Sequence, residues 1–505
     1  MSGELVLGID IGTGSTKGVL ARPDGTVVAT AVREHPDAMV MPRPDHAEMD
    51  AEAVWWGDVV AVCRELVTPD RAVAAVCVSG LGPCLLLTDA DGAPVRPAIL
   101  YGIDGRATAE IAEQTERFGA DAVLERCGTA LTTQAVGPKA AWVRRHEPDV
   151  WSRAERWFSA GSFAAFRLCG EYVLDHHTAS QSVPLYDLGE SGWAQDWYAE
   201  VMGHLPAPRL AWAGEVVGGV TPSASAETGL AAGTPVCAGT VDAWAEAYGA
   251  GVRATGDLML MYGSTMFFVQ ELAGPAPHPQ LWNTRGVRPG TTSLAAGMST
   301  SGSLTAWVRD LTGGTPFETL VAEAAAVPPG SDGLLLLPYF AGERTPIFDT
   351  DARGVVAGLT LRHRRGHLYR AAYEGIAFGI RQILELLDTE ADPVRRLVAV
   401  GGGTRGGLWT QVVSDVTGRH QDVPAQTVGA SYGDALLAAQ AVGLVAAEAD
   451  WASVATTVEP QAAHAEVYDE LYAAYLALYP ATRDVAHLLA GLQQRGAGAA
   501  VGGRP

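Results

Sequence analysis

Two apolar segments, each interrupted by a short loop of glycine and hydroxyl-bearing residues, constrain the fold of this chain most strongly. The first loop spans residues 12–16 and lies between the apolar runs 5–9 and 18–21. The second loop, residues 263–265, follows about half a chain later and is flanked in the same way. Such loops are typical of tight turns between antiparallel strands. A hairpin that returns after half the chain predicts a duplicated domain.

The remaining periodicities predict an α/β protein. Helical periodicity is clearest in four segments: residues 53–66, 367–387, 408–416 and 467–478. Strand-like apolar runs, among them residues 74–79 and 397–400, fall between the helical segments. Because helices and strands alternate along the chain, the pattern favours sheets flanked by helices.

Glycine positions indicate where the duplicated halves separate. Gly249-Ala250-Gly251 interrupts a helical stretch just before the second hairpin. We therefore predict an N-terminal domain of residues 1–250 and a C-terminal domain of residues 251–490. Residues 491–505 are rich in glycine and alanine, which predicts a disordered tail.

Charge and hydropathy exclude several classes of partner. The 505-residue chain has 35 basic and 57 acidic residues and a formal net charge of −22, which disfavours binding to nucleic acid and to anionic membrane surfaces. Its apolar runs are shorter than the roughly 20 residues that a transmembrane helix needs. The first residues do not resemble a secretion signal, and the six cysteines form no C-x-x-C pair, so we expect a cytoplasmic protein with reduced thiols.

The two hairpin loops carry chemistry suited to phosphate groups. Asp10 follows the first apolar run, where a carboxylate can hold a hydrated Mg²⁺, and Gly12, Thr13 and Lys17 supply an amide, a hydroxyl and a positive charge. The second loop repeats these groups with Gly263, Ser264 and Thr265. An ordinary glycine-rich hairpin explains either loop alone, but two loops in matching contexts favour phosphate binding.

Asp242 is the candidate catalytic base. It follows an apolar strand-like run, residues 234–238, and opens a helical segment. A carboxylate at this position either caps the amide groups of the helix or takes a proton from an attacking hydroxyl. Its place between the two phosphate-type loops favours the second interpretation.

These motifs resemble the FGGY family of ATP-dependent carbohydrate kinases over nearly the whole chain, from about Leu5 to Leu478. Residues 354–359, followed after seven residues by residues 367–374, are similar to one family signature throughout. Residues 138–143 are similar to part of a second signature. The resemblance implies two duplicated actin/hexokinase-like (ribonuclease H-like) domains with an interdomain cleft.

The resemblance also implies roles for individual residues. Asp10 is matched to a Mg²⁺ site, the two loops to phosphate binding, and Asp242 to the catalytic base, which also contacts the substrate. Gly402 and Gly403 are matched to the glycine-rich segment against which the family packs adenine, where backbone without side chains lets a flat base approach. The implied cofactors are ATP and Mg²⁺.

The substrate end matches the family less closely. Asp104 and Arg106 are similar to an aspartate and an arginine that grip sugar hydroxyls, although one extra residue precedes the aspartate in comparison with xylulokinases. A surface ion pair is the alternative for these two side chains. Pro83 stands where xylulokinases usually carry a substrate-contacting histidine.

We therefore predict phosphorylation of a hydroxyl of a small sugar or polyol, a ketopentose or a related polyol, at the expense of ATP. Two alternatives stay open: a catalytically inactive, sugar-responsive sensor of the same fold, and a xylulokinase proper. The expected partner is the small-molecule substrate, with no nucleic acid and no membrane. A homodimer is the expected assembly if the chain self-associates.

Overall fold

The computed structural model describes residues 4–389, 391–426 and 428–501. The strands are, in chain order, β1 (Leu5–Ile11), β2 (Ser15–Ala21), β3 (Val27–Glu34), β4 (Glu48–Met49), β5 (Val73–Gly80), β6 (Leu86–Thr88), β7 (Ala98–Ile99), β8 (Arg156–Phe158), β9 (Val173–Asp175), β10 (Tyr186–Asp187), β11 (Gly192–Trp193), β12 (Arg209–Ala211), β13 (Val216–Gly219), β14 (Pro235–Val241), β15 (Asp257–Tyr262), β16 (Met266–Leu272), β17 (Trp282–Arg285), β18 (Thr292–Met298), β19 (Leu335–Leu337), β20 (Val355–Ala357), β21 (Arg396–Val400), β22 (Gln421–Pro424) and β23 (Val454–Val458).

The α-helices are, in chain order, α1 (Gly57–Leu66), α2 (Thr108–Phe118), α3 (Ala120–Cys127), α4 (Val136–His146), α5 (Pro148–Arg153), α6 (Ala160–Cys169), α7 (His176–Gln181), α8 (Gln195–Met202), α9 (Pro222–Thr228), α10 (Asp242–Gly249), α11 (Gly302–Leu311), α12 (Phe317–Ala325), α13 (Arg365–Leu387), α14 (Leu408–Thr417), α15 (Ala430–Ala441) and α16 (Ala465–Val501). A π-helix, Ala51–Trp56, precedes α1. Short 3₁₀ turns lie at Ser331–Gly333, Gly402–Thr404 and Ala462–His464.

The chain forms two compact units. The first comprises the described residues of Met1–Arg253, Glu271–Leu294 and Val428–Ala452. The second comprises those of Ala254–Gln270, Ala295–Thr427 and Ser453–Pro505. Both units contain sheets and helices, so the predicted α/β class is confirmed.

The sheet of the first unit has the strand order β13-β14-β5-β1-β2-β3. Strands β1, β2 and β3 form an antiparallel meander, and β5 and β14 continue the sheet parallel to β1. In the second unit β18, β16, β15, β21, β22 and β23 follow one another, with β16 antiparallel and β21 parallel to β15. Each sheet therefore places a hairpin beside parallel strands, as expected for a duplicated domain.

The core of the first unit lies between its sheet and the helices that cover it. Leu7 of β1, Val76 of β5, Val62 of α1 and Phe163 of α6 are fully buried in one apolar cluster. Each of these side chains lies on the face of its strand or helix that packs against the neighbouring layer. The resulting layers fix the positions at which the strands end and their loops begin.

Helix α15 lies in the first unit although it follows most of the second along the chain. It approaches β1 so closely that a Cβ at Gly8 would lie 2.0 Å from the carbonyl oxygen of Ser431. A Cβ at Gly433 would lie 1.9 Å from the carbonyl oxygen of Ala245 in α10. Because only glycine permits these approaches, α15 fixes α10 against the sheet.

Most of the predicted elements are present, with shifted ends. The predicted helix 53–66 begins as the π-helix Ala51–Trp56 and continues as α1. The glycine boundary falls at the end of α10. Helix α16 extends to Val501, across most of the segment predicted as a tail, and residues 502–505 lie outside the described residues.

Candidate active site

The first loop is the turn between β1 and β2. The amide of Gly12 donates to the carbonyl oxygen of Ser15 at 3.0 Å, which closes the turn. The Thr13 hydroxyl lies 2.9 Å from the Tyr101 hydroxyl, while a Cβ at Gly14 would meet no atom within 4 Å. The loop is therefore held at its base and on one side, and is open at its tip.

Asp10 lies on β1 directly opposite Lys17 on β2, close to the carboxylates of Asp242 and Glu246. Its Oδ1 atom is buried and has no hydrogen-bond partner among the described residues. Burial, followed by the Asp242 carboxylate, raises the pKa of Asp10 well above its ordinary value. Burial also raises the pKa of Asp242, and burial together with Asp242 raises that of Glu246 to about 7. The positive charge and hydrogen-bond donors near these three carboxylates therefore do not offset the cost of ionising them.

Asp242 is the first residue of α10, directly after β14. β14 comes close enough to β5 that a Cβ at Gly239 would lie 1.9 Å from the carbonyl oxygen of Val78. The N-cap of the helix is Val241, and the Asp242 carboxylate accepts only the amide of Ala243, at 2.7 Å, among the described contacts. Asp242 is therefore the first helical residue and not the N-cap, although its carboxylate accepts one amide of the first turn, as the capping alternative expects.

Glu246 was not identified from the sequence, although a signal for it was present. It lies four residues after Asp242 in α10, and side chains with this spacing share one face of a helix. A second carboxylate one turn after a candidate base therefore indicates an acidic cluster. The spacing does not show that Asp10, which is far from α10 in the sequence, faces the same cluster.

We expect Glu246→Gln to stabilise the protein near pH 8 and not near pH 5. The folded-state pKa of about 7 lies above the ordinary value of 4.5, so the folded protein holds the extra proton between these values. Stability therefore falls as the pH rises from about 4.5 to about 7, and at pH 8 glutamine removes a cost of about 3 kcal/mol. Thermal unfolding in EDTA at both pH values measures this difference, and equal shifts at both would contradict it.

The second loop connects β15 to β16 in the second unit. The Gly263 carbonyl accepts the amide of Gly302 at 2.9 Å, and the Ser264 carbonyl accepts the amides of Ser301 and Ser303 at 3.0 and 3.1 Å. These donors belong to the start of α11, which leaves no room for a side chain at Gly302. The side chains of Ser264 and Thr265 are exposed. The backbone of the loop is fixed while its hydroxyl groups remain accessible.

The glycine-rich segment after β21 has one open and one filled position. A Cβ at Gly402 would meet no atom within 4 Å, whereas a Cβ at Gly403 would lie 2.6 Å from the Trp409 ring. Trp409 is buried and stacks on Tyr373, with ring centroids 5.1 Å apart. The prediction that both glycines leave space for a base therefore needs a correction at Gly403, where Trp409 takes the space.

The predicted substrate pair forms a closed cluster. Arg106 donates to both oxygens of Asp104 through its Nε and Nη2 atoms, at 2.7 to 3.0 Å, and to Glu48 at 2.8 Å. The amide of Ala47 donates to Asp104 at 2.6 Å. The side chains of Asp104 and Arg106 have no exposed surface. The surface-pair alternative is therefore wrong, and a direct contact with sugar would require one of the two to exchange its partner.

The segment before Asp104 is tied to a neighbouring loop. Gly102 donates its amide to Gln134 and accepts the Thr133 hydroxyl, both at 2.9 Å. The carbonyl oxygen of Thr133 accepts Nζ of Lys139 at 2.6 Å, and burial lowers the pKa of Lys139 to about 8. Through Tyr101, this network continues to the Thr13 hydroxyl of the first loop. Hydrogen bonds thus connect the segment matched to the sugar site with the segment matched to the phosphate site.

Comparison with known proteins identifies the family. The family model described as FGGY family of carbohydrate kinases, N-terminal domain, matches residues 5–249, and the corresponding C-terminal domain matches residues 255–442. The chain belongs to the FGGY family of carbohydrate kinases. The predicted resemblance is thereby confirmed over most of the chain.

Individual FGGY relatives cover most of the chain with modest identity. A xylulose kinase of Bacillus subtilis is 27% identical over 95% of this chain and 97% of its own length, and a gluconokinase of the same organism is 26% identical over 87% and 88%. The crystal structure of a xylulose kinase from Rhodospirillum rubrum has a TM-score of 0.87 at 34% identity, covering 96% of this chain and all of the other. The actin/hexokinase-like fold class is confirmed by these matches.

As an FGGY member, the protein is an ATP-dependent carbohydrate kinase that acts on a small-molecule sugar or polyol. Within the described residues, no helix is both long and apolar enough to cross a membrane. The roles of the individual side chains do not follow from family membership alone.

Proposed function

We propose that the protein transfers the γ-phosphoryl group of ATP to a hydroxyl of a ketopentose or a related polyol, with Asp242 as the general base. The observation that carries this proposal is the carboxylate at the start of α10, which has a raised pKa and a single backbone donor among its described contacts. A general base is most effective when its pKa lies near the working pH. An ordinary aspartate is too acidic to take a proton efficiently from an alcohol.

Asp242 would act by holding the proton of the attacking hydroxyl. Phosphoryl transfer depends mainly on positioning and on neutralising charge, with little covalent chemistry for the protein to perform. The base therefore has to orient the hydroxyl and accept its proton as the new P–O bond forms. A position at the end of a packed strand suits this task, because Gly239 and Gly433 fix the backbone on either side.

Asp10 has the properties of a ligand for Mg²⁺. Within residues 4–389, 391–426 and 428–501, no three His, Cys, Asp or Glu side chains are grouped to hold a metal ion. Mg²⁺ takes only one or two carboxylates in such enzymes, with waters and substrate phosphates as its other ligands. The buried, unpartnered Oδ1 atom of Asp10 fits this requirement. When bound, Mg²⁺ would neutralise charge on the transferring phosphoryl group.

We assign ATP binding to residues in both halves of the chain. The first loop with Gly12, Thr13 and Lys17, and the second with Gly263, Ser264 and Thr265, would face the phosphates. Gly402 would face the adenine, since its Cβ position is open. Because the reaction consumes ATP, we place the enzyme in the cytoplasm, and a homodimer stays a prediction that light scattering can test.

We expect Gly402→Val to raise the KM for ATP by about fivefold to tenfold, which corresponds to about 1 to 1.4 kcal/mol of lost binding. The Cβ atom of the added side chain would meet no protein atom within 4 Å. Gly403→Val is the matched control, because its side chain would collide with Trp409 and lower the melting temperature instead. Steady-state kinetics and thermal unfolding separate the two effects. A rise confined to the sugar KM would contradict the assignment.

The proposed function is tested by ADP release across a panel of ketoses, polyols and sugar acids. We expect release that depends on one or a few ketopentoses or polyols and requires Mg²⁺. Sugar acids enter the panel because a gluconokinase is among the relatives. Sugar binding without ADP release for any compound would favour the inactive sensor and overturn the proposal.

A further inference from the structure

His35 contacts the first loop at two positions, Gly12 and Gly14. Its backbone amide donates to the carbonyl oxygen of Gly14 at 2.9 Å. Its ring atom Nε2 lies 3.1 Å from the carbonyl oxygen of Gly12, and Nδ1 lies 2.7 Å from Oδ2 of Asp58. The side chain of His35 is only 9% exposed, so these contacts are shielded from bulk water. No role was assigned to either residue from the sequence.

The two ring contacts define what His35 must donate. A carbonyl oxygen accepts hydrogen bonds and does not donate, so the Gly12 contact requires a proton on Nε2. Nδ1 faces the Asp58 carboxylate, so one ring bridges Asp58 and the Gly12 carbonyl. Asp58, in the first turn of α1, thus fixes the ring on which the loop rests.

The Gly12 contact determines where an amide of the loop points. In a planar trans peptide the C=O and N–H groups point in opposite directions. Since the Gly12 carbonyl is turned towards His35, the amide of the same peptide unit, which belongs to Thr13, is turned away from it. An amide aimed outwards from a glycine-rich turn is the donor type that binds phosphate oxygens.

We propose that His35, held by Asp58, is a positioning residue for the first phosphate loop. It touches neither substrate nor reacting atoms and acts by keeping the Gly12 carbonyl turned inwards, so that the Thr13 amide stays directed at a phosphate oxygen of ATP. This inference rests on the proposed phosphate-binding role of the loop. It predicts an effect on the nucleotide and not on the sugar.

The test uses His35→Gln and Asp58→Asn in the full-length protein. Glutamine still reaches towards Gly12 but cannot bridge Asp58 and Gly12 as a rigid ring does. We expect each variant to raise the Kd for the Mg²⁺ complex of a non-hydrolysable ATP analogue about fivefold, measured by calorimetry, with the sugar KM unchanged. Because the two residues act as one unit, the double variant is expected to lose no more than the weaker-binding single variant.

His204→Gln is the matched control. His204 also donates a ring nitrogen to a backbone carbonyl, that of Ala154, at 2.8 Å, but it is not part of the site. We expect this variant to leave nucleotide binding unchanged even where it lowers the melting temperature. If His35→Gln only lowered the melting temperature, as this control is expected to, the positioning role would be overturned.

The outcomes also separate this inference from the proposed function. Active wild-type enzyme with unchanged nucleotide binding in both variants would overturn the inference alone. A wild type that releases no ADP with any sugar would overturn the proposed function, and the calorimetric comparison would still decide the inference. Effects on nucleotide and sugar of equal size would also count against His35 as a nucleotide-specific positioning residue.

Discussion

We expect Asp242→Asn to lower kcat by about a hundredfold or more, the usual effect of losing a positioned general base. Asparagine keeps the size of the side chain and can still accept the amide of Ala243, so the start of α10 should be preserved. It cannot take a proton from the attacking hydroxyl. The KM for ATP should change little, because the base acts on the sugar hydroxyl. Steady-state kinetics with the best compound of the panel measure the effect.

Asp50→Asn provides the control for this substitution. Asp50 also lies at the start of a helix and accepts the amides of Glu52 and Ala53, and asparagine caps helices about as well as aspartate. We expect its kcat to equal that of the wild type. A kcat for Asp242→Asn within a fewfold of wild type would remove Asp242 from the mechanism, whatever its place in the fold.

The elements predicted best were those specified by local pattern. The β1–β2 and β15–β16 hairpins follow from apolar runs that are broken by glycine and hydroxyl residues. Helix α13, Arg365–Leu387, follows from a long helical periodicity and begins within two residues of its predicted start. In each of these segments the residues that decide the structure are neighbours in sequence, so no knowledge of tertiary packing was needed.

The parts that were missed depend on contacts between distant segments. The carboxylate cluster joins Asp10 on β1 to Glu246 on α10, and only the fold brings them together. Asp104 and Arg106 are buried against Ala47 and Glu48, which excludes the surface pair, while their contact with sugar stays a prediction. A sequence pattern identifies residue types that can pair, whereas burial and the supply of other donors decide which partner each one takes.

The return of α15 to the first unit has the same origin. From the local sequence, Gly433 is expected to destabilise helix α15, because glycine has a low helix propensity. In the folded protein the missing side chain is what allows α15 to meet α10 backbone to backbone. Close packing against α10 therefore outweighs helix propensity at this position. The residues of α10 are distant in the sequence, so the residues next to Gly433 do not reveal this requirement.

The final prediction concerns the choice of sugar. Pro83, at the position where xylulokinases usually carry a substrate-contacting histidine, is buried and offers neither a side-chain donor nor a backbone N–H. The following amide, that of Cys84, is already directed at the Ser159 hydroxyl, at 3.3 Å. A sugar hydroxyl buried against Pro83 would therefore remain unpaired, at a cost of about 1 to 3 kcal/mol.

That cost corresponds to a roughly tenfold to hundredfold lower kcat/KM for a sugar that needs the contact. The side chains of Asp104 and Arg106 have no exposed surface, so this pair offers no accessible replacement donor in its present arrangement. We therefore expect the preference to be displaced from D-xylulose towards another pentulose, a tetritol or a related polyol. Pro83→His should raise kcat/KM for D-xylulose and so reduce the ratio of kcat/KM between the preferred compound and D-xylulose. Thermal unfolding checks that the variant is folded. If the wild type gives D-xylulose the highest kcat/KM in the panel, the inference from Pro83 is wrong.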